Sequence, residues 1–459
     1  MKMYPKSVHQ LEGAKVYIAD DGEKDVLVCE GKPYFGGKEG KNVFPFSHEL
    51  AMKMRSLFPF TAPRKVLSEE RSIGVGDRLG IACPGHIRVF EKYDAYPVFA
   101  QQSIRELNLT NRTFQDVLDC VTFSVFREDY QKGFGADGDH LKKPEDIEYA
   151  LGLGFTMITL DLSEHIHADA DGSYSQDIDP IYLGKGFKLD TGDVVKFSEA
   201  ELKRCAGVYG EALDFAVKMY DQFLKSGKYD AEFEISIDET GTPTLPSEHY
   251  FVASELSRRG VKFATIAPRF TGEFQKGIDY IGDLKQFDKE MAIHAAIARK
   301  FGHKVSVHSG SDKFSVFPSV GKNTRQHYHV KTAGTNWLEA MKIVAMHDPK
   351  LYREIHQFAL GAFDEARKYY HVTTDIKAIP SLDKIADKDL PKLFEDNNAR
   401  QLIHITYGLI LNAKNADGSD RFHTRLYSFW RKHSEEYYEA LDKHISHHLE
   451  ALGCPKMKH

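Results

Sequence analysis

The segment EFEISID, residues 232–238, determines the interpretation of the fold, because apolar and polar residues alternate along it. A barrel strand turns successive side chains alternately toward the surrounding helices and toward the barrel interior. The apolar residues Phe233, Ile235 and Ile237 are therefore expected to face the helices. The interior-facing residues are then polar, namely Glu232, Glu234, Ser236 and Asp238. A purely structural barrel core would use aliphatic residues, so this strand indicates a functional interior.

Similar short segments recur on both sides of this strand, with helical stretches between them. The eight candidate strands are Ile73–Gly76, Pro97–Gln101, Phe134–Asp137, Phe155–Asp161, Glu232–Asp238, Lys262–Ala267, Lys304–His308 and His327–Lys331. Strands that alternate with helices over about 260 residues are typical of a (β/α)8 barrel of the TIM type, within the α/β class. A doubly wound open sheet is the alternative.

The chain divides into three regions. We expect a small N-terminal α/β segment at residues 1–70, the catalytic (β/α)8 barrel at 71–345, and a C-terminal helical appendage at 346–459. The last region has no strand pattern and reads as several amphipathic helices. Its final helix carries three histidines, His444, His447 and His448, which we expect at the surface because the helix is otherwise charged.

Composition excludes several classes of protein. The 459 residues carry a net charge of -6, whereas a nucleic-acid-binding protein usually has a basic surplus. The five cysteines form no CxxC pair, which argues against a disulfide framework. No apolar run reaches the roughly 18 residues that span a membrane, and the N-terminus does not resemble a signal peptide. We therefore expect a cytoplasmic protein without membrane or nucleic-acid partners; its oligomeric state stays open.

The interior positions of three other strands are also polar. Alternation turns Thr159 and Asp161 inward on one strand, His308 on another, and His329 and Lys331 on the last. Glu234, His308 and His329 together are a candidate set of ligands for a divalent metal such as Zn, Mn, Ni, Co or Fe. Alternation alone does not distinguish such a metal site from a buried network of histidines and carboxylates. Asp161, Asp238 and Glu239 are competing ligands.

Polar residues also follow the ends of the predicted strands, where the active sites of such barrels lie. They include Arg78, Gln102, Ser103, Glu106, Arg269, Asp312, Lys313 and Lys331. Taken singly, each is better explained as a helix cap or a salt bridge. Together they describe a rim suited to a polyhydroxylated anion, whose carboxylate would be held by the cations of the set. No GxGxxG or P-loop spacing is present, so we expect no nucleotide cofactor.

Several long stretches carry a family resemblance. They are GVGDRLGIACPGHIR (74–88), FAQQSIRE (99–106), GFGADGDHLKKPED (133–146), GFTMITLDLSEH (154–165), FEISIDETGTPT (233–244), KGIDYIGD (276–283), HSGSDKFSVFP (308–318), HVKTAGT (329–335) and LFEDNNARQLIHITYG (393–408). With these stretches the chain resembles the tagaturonate epimerase family. The resemblance implies a metal-dependent isomerase of hexuronate catabolism that interconverts D-tagaturonate and D-fructuronate. It also implies that the metal is bound by Glu234, His308 and His329, and that Ser103, Glu106, Thr159 and Asp161 contact or transform the substrate.

The implied reaction inverts a carbon β to the ketone, whose hydrogen is not acidic. Retro-aldol cleavage followed by re-addition is the hypothesis we prefer, with Glu106 and Asp161 as the acid–base pair. Transient oxidation by a bound nicotinamide is the alternative. Rival functions are a ketohexose 4-epimerase acting on fructose and tagatose, a related sugar isomerase or aldolase, and a non-enzymatic protein that binds sugar acids.

Overall fold

The computed structural model describes residues 1–168 and 176–457, and its centre is a closed barrel of eight parallel strands. Residues 169–175, within the predicted barrel region, and residues 458–459, at the end of the predicted helical region, lie outside the described part. The predicted (β/α)8 barrel is confirmed, and the open doubly wound sheet is excluded by the closure of the strand order.

The N-terminal segment is an antiparallel sheet with one helix. Its elements are β1 (Lys2–Met3), β2 (His9–Leu11), β3 (Ala14–Asp20), β4 (Asp25–Gly31), β5 (Gly40–Pro45) and α1 (His48–Leu57). Val16, Ile18 and Leu27 of this sheet are fully buried in a core that also contains Phe123 and Phe126 from a helix of the barrel. Because the two parts share this core, the boundary at residue 70 stays a prediction.

The barrel strands correspond to the eight predicted segments. They are β6 (Arg71–Gly76), β7 (Tyr96–Ser103), β8 (Gly135–Leu141), β9 (Met157–Asp161), β12 (Glu232–Ile237), β13 (Thr265–Pro268), β14 (Lys304–Val307) and β15 (Tyr328–Ala333), with a separate hairpin, β10 (Gly186–Lys188) and β11 (Val194–Lys196), between β9 and β12. The strand β15 pairs with β6, which closes the barrel. The third strand extends four residues beyond its predicted end at Asp137.

Helices surround the barrel and join its strands. They are α2 (Cys83–Phe90), α3 (Ile104–Thr110), α4 (Phe114–Glu128), α5 (Pro144–Gly152), α6 (Asp179–Tyr182), α7 (Glu199–Phe223), α8 (Pro246–Arg258), α9 (Leu284–Phe301), α10 (Phe317–Asn323) and α11 (Thr335–His347). Two of them begin with capping boxes, Thr113 with Asp116 at α4 and Ser198 with Glu201 at α7. Each pair satisfies backbone N–H groups that the first turn would otherwise leave unpaired.

The C-terminal region is helical, as predicted. They are α12 (Pro349–Ala366), α13 (Asn397–Ile405), α14 (Tyr407–Leu411), α15 (His423–Lys432) and α16 (Ser434–Ala451). Two buried tryptophans attach this region to the barrel: Trp337 of α11 donates to the carbonyl of Ile403, and Trp430 of α15 donates to the carbonyl of Ala340. Among the described residues, no helix is both long and apolar enough to cross a membrane.

Helix α16 corrects the prediction for its histidines. Only His447 is exposed; His448 is buried and His444 is largely covered. The reason is the helical period, because position 448 lies on the same face as Leu441 and Ile445, which pack against the barrel. The prediction of three surface histidines was therefore wrong for two of them.

Candidate active site

The C-terminal ends of the barrel strands open into a cavity of about 340 Å³. Its wall includes Asp238 and His308 from two strand ends, several residues of the loop that follows β13, and residues 369–371 from the segment that follows α12. The helical region thus covers part of the barrel mouth. The cavity lies where enzymes with this fold have their active sites.

Inside the barrel, one ammonium group holds three carboxylates together. Nζ of Lys331 lies 2.7 Å from Asp137 Oδ2, 2.8 Å from Asp139 Oδ1 and 2.7 Å from Glu234 Oε1. Burial disfavours the charge on Lys331, but the three carboxylates outweigh it and raise the pKa of Lys331 well above its ordinary value. Burial also raises the pKa of Asp137 to about 7, so this carboxyl is the member of the cluster that binds a proton near neutral pH.

Glu234 is the centre of the hydrogen bonds in this interior. Its Oε1 lies 2.8 Å from His308 Nε2 and accepts a hydrogen bond from Thr159 Oγ1 at 3.1 Å, while Oε2 accepts one from Thr265. Burial opposes ionisation, but Lys331 and His308 hold the pKa of Glu234 well below its ordinary value. The carboxylate is therefore charged, fully buried and held in one orientation.

His308 lies between two carboxylates. Its Nε2 faces Glu234, and its Nδ1 is 3.2 Å from Asp238 Oδ2. Burial alone would lower the pKa of His308, but Asp238 and Glu234 raise it to about 10. In this arrangement the imidazole is protonated, so two carboxylates enclose a positive charge. A pair of carboxylates that stabilises an imidazolium in this way is also suited to a metal cation.

His329 lies one interior layer deeper than Lys331, because the two residues are two positions apart on β15. Its Nδ1 is 2.9 Å from Ser72 Oγ, whereas its Nε2 is buried and has no hydrogen-bond partner. Burial lowers the pKa of His329 to about 3, so the ring is neutral. A neutral imidazole with an unpartnered nitrogen has the form that a metal ligand requires.

Two groups of residues are candidates for a divalent metal. The first is the predicted set, Glu234, His308 and His329, which is not among the described groups whose ligand atoms lie within 4.8 Å of one another. The second is His140, Asp238 and His308, whose ligand atoms do lie within 4.8 Å, as do those of His140 with the competing ligands Asp161 and Glu239. His308 belongs to both groups, whereas Glu234 and His329 lie outside the second. Imidazoles combined with carboxylates suit Zn, Mn, Ni, Co or Fe, so the residues present fit such an ion. Which group binds it stays a prediction.

The predicted acid–base residues have different surroundings. Asp161 is buried; its Oδ1 accepts a hydrogen bond from the backbone of Ser163, and its Oδ2 has no hydrogen-bond partner, although Lys142 Nζ lies 3.6 Å away. Glu106 is buried as well, but its Oε1 forms an ion pair of 2.7 Å with Arg78. Asp161 therefore offers an available oxygen, while Glu106 is held in place by a guanidinium group.

Several predicted substrate contacts are occupied by the protein itself. Nζ of Lys313 donates to the backbone carbonyls of Gln275, Ile278 and Ser311 at 2.6–2.9 Å. Asp312 accepts a hydrogen bond from Arg400 at 2.8 Å and lies 3.1 Å from His444. Both residues tie the loop after β14 to its neighbours, and their contact with substrate stays a prediction.

The residues at the C-terminal ends of β6 and β7 differ in the same way. Arg78 is completely buried, stacks 4.0 Å from the ring centre of Tyr407 and pairs with Glu106. Ser103 accepts the backbone N–H of Glu106 and so caps α3. Both side-chain polar atoms of Gln102 are buried without a hydrogen-bond partner. Of these residues, Gln102 is the one whose side chain forms no hydrogen bond within the protein, although it is not among the residues that line the cavity.

Comparison with known proteins agrees with this fold. A model of the tagaturonate epimerase family matches residues 4–452. The chain belongs to the tagaturonate epimerase family. The tagaturonate/fructuronate epimerase of Thermotoga maritima is 43% identical over 98% of this chain and 97% of its own length. The crystal structure of a fructuronate–tagaturonate epimerase from Cohnella laeviribosi with one glycerol has a TM-score of 0.96 and 46% identity, covering 99% of this chain and 97% of its own.

The native crystal structure of the Cohnella laeviribosi enzyme superimposes with a TM-score of 0.95 at 46% identity, over 99% of this chain and 96% of that one. The cavity of the present chain also contains residues that were not predicted from the sequence, among them Arg105, Lys276 and His371. They lie in loops or at a helix start, where no periodic pattern marks a functional side chain. The available signals were two family stretches: FAQQSIRE, which contains Arg105, and KGIDYIGD, which begins at Lys276.

Proposed function

We propose that this protein interconverts D-tagaturonate and D-fructuronate by inverting the carbinol carbon β to the ketone. Membership of the tagaturonate epimerase family supports the reaction, and the names of the relatives support the substrate pair. The structural observation that carries the proposal is the cluster of buried carboxylates and imidazoles around Glu234 and His308, at the C-terminal ends of the barrel strands. A barrel without catalytic function would fill these positions with aliphatic side chains.

The chemistry we propose is a retro-aldol cleavage followed by re-addition. The hydroxyl group on the inverting carbon loses its proton, and this carbon becomes the carbonyl carbon of an aldehyde. The bond to the neighbouring carbon on the ketone side breaks, and its electron pair stays on the ketone fragment. The aldehyde then turns its other face to the same carbon, the bond re-forms, and the proton returns to the new hydroxyl. Atoms and electrons balance without an oxidant or a reductant.

Two carboxylates would move this proton. Asp161 would accept it on one face of the substrate, through the oxygen that has no hydrogen-bond partner. Glu106 would do the same on the other face, since Arg78 holds it in one orientation. A base on each face is needed because the two epimers carry their hydroxyls on opposite sides.

A divalent metal would be held by Glu234, His308 and His329, or by His308 with His140 and Asp238. When bound, such an ion would act as a Lewis acid and withdraw electron density from the ketone. The protein contributes the fixed carboxylates and a partly covered cavity in which a cleaved fragment could be retained. Gln102 and Thr159 would orient the hydroxyl groups of the substrate.

The first test is NMR of the purified protein with D-tagaturonate, before and after EDTA, and after addition of Mn, Ni or Zn. We expect D-fructuronate to appear, to stop with EDTA and to return with one of the metals. Absence of conversion with every metal would contradict the proposed reaction, and free ketoses would be tested next.

A second test distinguishes the two chemical routes. The substrate would carry deuterium on the inverting carbon. Retro-aldol cleavage leaves this C–D bond intact, so we expect no primary isotope effect and full retention of the label. Transient oxidation breaks the bond, so a primary isotope effect would contradict the retro-aldol route.

A further inference from the structure

The cavity at the barrel mouth contains three cationic side chains that have no carboxylate partner among the described residues. They are Arg105, Arg269 and Lys276. Arg105 donates one hydrogen bond of 3.4 Å to the carbonyl of Tyr369, and Lys276 donates one of 3.1 Å to Ser309 Oγ. These are single contacts with neutral oxygens, so no carboxylate in the described part of the chain lies at ion-pair distance from these side chains.

The other three predicted cations are occupied by contacts within the protein. Arg78 pairs with Glu106, Lys331 pairs with three carboxylates, and the ammonium group of Lys313 is used by three backbone carbonyls. Arg78, Lys313 and Lys331 were all predicted to hold the carboxylate of a substrate. Of the four predicted cations, Arg269 is the one whose charge is left for a ligand.

The acidic residues of the same cavity do not offset these charges. Asp238 lies 3.2 Å from His308, and Glu273 lies 3.5 Å from His371. The third acidic residue of the wall, Glu239, has a carboxylate oxygen within 4.8 Å of His140 and Asp161 and forms no ion pair with Arg105, Arg269 or Lys276. Lys276 is enclosed enough that burial lowers its pKa, which means that an anion beside it would relieve an existing penalty. The cavity wall therefore combines an acid–imidazole group at His308 with the cations Arg269 and Lys276.

We propose that Arg269 and Lys276, with Arg105 at the exposed rim, form the subsite that binds the substrate carboxylate and so selects sugar acids over neutral ketoses. The inference rests on the proposed function, and it adds the residues that recognise the acid group. A guanidinium and an ammonium group that face one cavity provide charge-assisted hydrogen bonds to both carboxylate oxygens. The opposite end of the sugar acid, with its ketone, would then reach His308.

The test is a binding measurement that does not depend on turnover. The probes are D-galactonate, a six-carbon sugar acid, and galactitol, which has a hydroxymethyl group in place of the carboxylate. Calorimetric titration of the wild type is expected to show tighter binding of the acid. Arg269→Gln and Lys276→Gln should each weaken galactonate binding by about tenfold to a hundredfold, as expected for the loss of a hydrogen bond to a charged group. Galactitol binding should change less than about threefold.

Three control variants sharpen the result. Lys285→Gln removes an exposed positive charge at the start of α9, outside the cavity lining, and should leave both affinities unchanged. Arg269→Lys and Lys276→Arg keep the charge and should restore most of the preference for the acid. If the two Gln variants keep the preference, if they weaken both probes equally, or if the wild type shows no preference, the subsite is disproved. A preference for galactonate without conversion of D-tagaturonate would disprove the proposed function and leave the subsite standing.

Discussion

Two clusters of buried polar side chains in this molecule are built in opposite ways. In the barrel, Lys331 lies within 2.8 Å of three carboxylates, and the cluster is charged. In the helix layer, Nδ1 of His249 is 2.9 Å from Nδ1 of His294, and its Nε2 is 3.0 Å from Nε2 of His303. Burial lowers the pKa of His294 to about 4 and that of His303 to about 3, so this second cluster is neutral.

The difference shows where the protein tolerates buried charge. Neutral imidazoles can satisfy one another in a chain, because each ring has one donor and one acceptor nitrogen. Charged groups in a barrel interior require opposite charges at hydrogen-bond distance, and the removal of one partner leaves the others uncompensated. Buried charged side chains are therefore found around Glu234 and His308, where we propose the reaction. The buried histidines between α8 and α9 are neutral, and they contribute to packing alone.

The largest expected effect is the loss of the central cation. Lys331→Met should lower the free energy of unfolding by about 3–5 kcal/mol, because it leaves a group of buried carboxylates without their positive partner. Urea denaturation followed by circular dichroism would measure it. Lys304→Met is the matched control: Lys304 is also buried, but it donates to the carbonyl of Glu69 and the hydroxyl of Ser72. A loss at Lys331 no larger than that at Lys304 would contradict the charged-cluster interpretation.

A somewhat smaller effect should distinguish the two possible sets of metal ligands. His308→Ala removes a ligand from both sets and should abolish metal retention. Glu234→Gln and His329→Ala should weaken metal binding by about a hundredfold or more if the predicted set is right, and Asp238→Asn should then be milder. Metal content after dialysis against a chelator series, measured by plasma mass spectrometry, gives the ranking. The reverse ranking would assign the metal to His140, Asp238 and His308.

Most of the barrel could be predicted because apolar and polar residues alternate along several of its strands. In β14, for example, Val305 and Val307 face the helices, and His308 follows at the end of the strand. The sequence of this strand alone is sufficient to predict the orientation of these side chains. The predicted length of β8 was too short, because the position after Asp137 is Gly138 and not the large apolar residue that marks an outward-facing position in a strand. A side chain at Gly138 would meet Leu141 and Ile158 at 2.9–3.0 Å, so the outward position is filled by neighbours that only the folded chain supplies.

The candidate site was predictable to the extent that it lies on strands. Glu234, His308, His329 and Lys331 follow from alternation, and the structure places all of them in the barrel interior. Whether a cation is available to a ligand does not follow from sequence, since the partners of Arg78 and Lys331 come from distant segments. The lysine at 276 was missed because it lies in a loop whose position depends on the packing of the C-terminal helices.

The neutral cluster predicts a dependence of stability on pH. An unfolded histidine has a pKa near 6.5, above the folded values in this cluster. Between pH 6.5 and about 4 the unfolded chain therefore binds protons that the folded cluster does not, and stability falls as the pH is lowered. His303→Gln should flatten this slope by about 1.4 kcal/mol per pH unit, the value for one proton. His423→Gln, the same change at an exposed position, should leave the slope unchanged; equal slopes in all three proteins would contradict the prediction.

The smallest expected effect comes from an ion pair that has the same chemistry as the barrel cluster but lies in water. Lys6 Nζ is 3.1 Å from Glu91 Oε1 and 3.2 Å from Oε2, at an exposed contact between the N-terminal segment and the end of α2. Because solvent already stabilises both charges, Lys6→Gln should change the free energy of unfolding by no more than about 0.5 kcal/mol. Raising the salt concentration should reduce even this difference, whereas it should hardly affect the loss in Lys331→Met. A loss of several kcal/mol at Lys6 would mean that burial is not what separates the two kinds of ion pair.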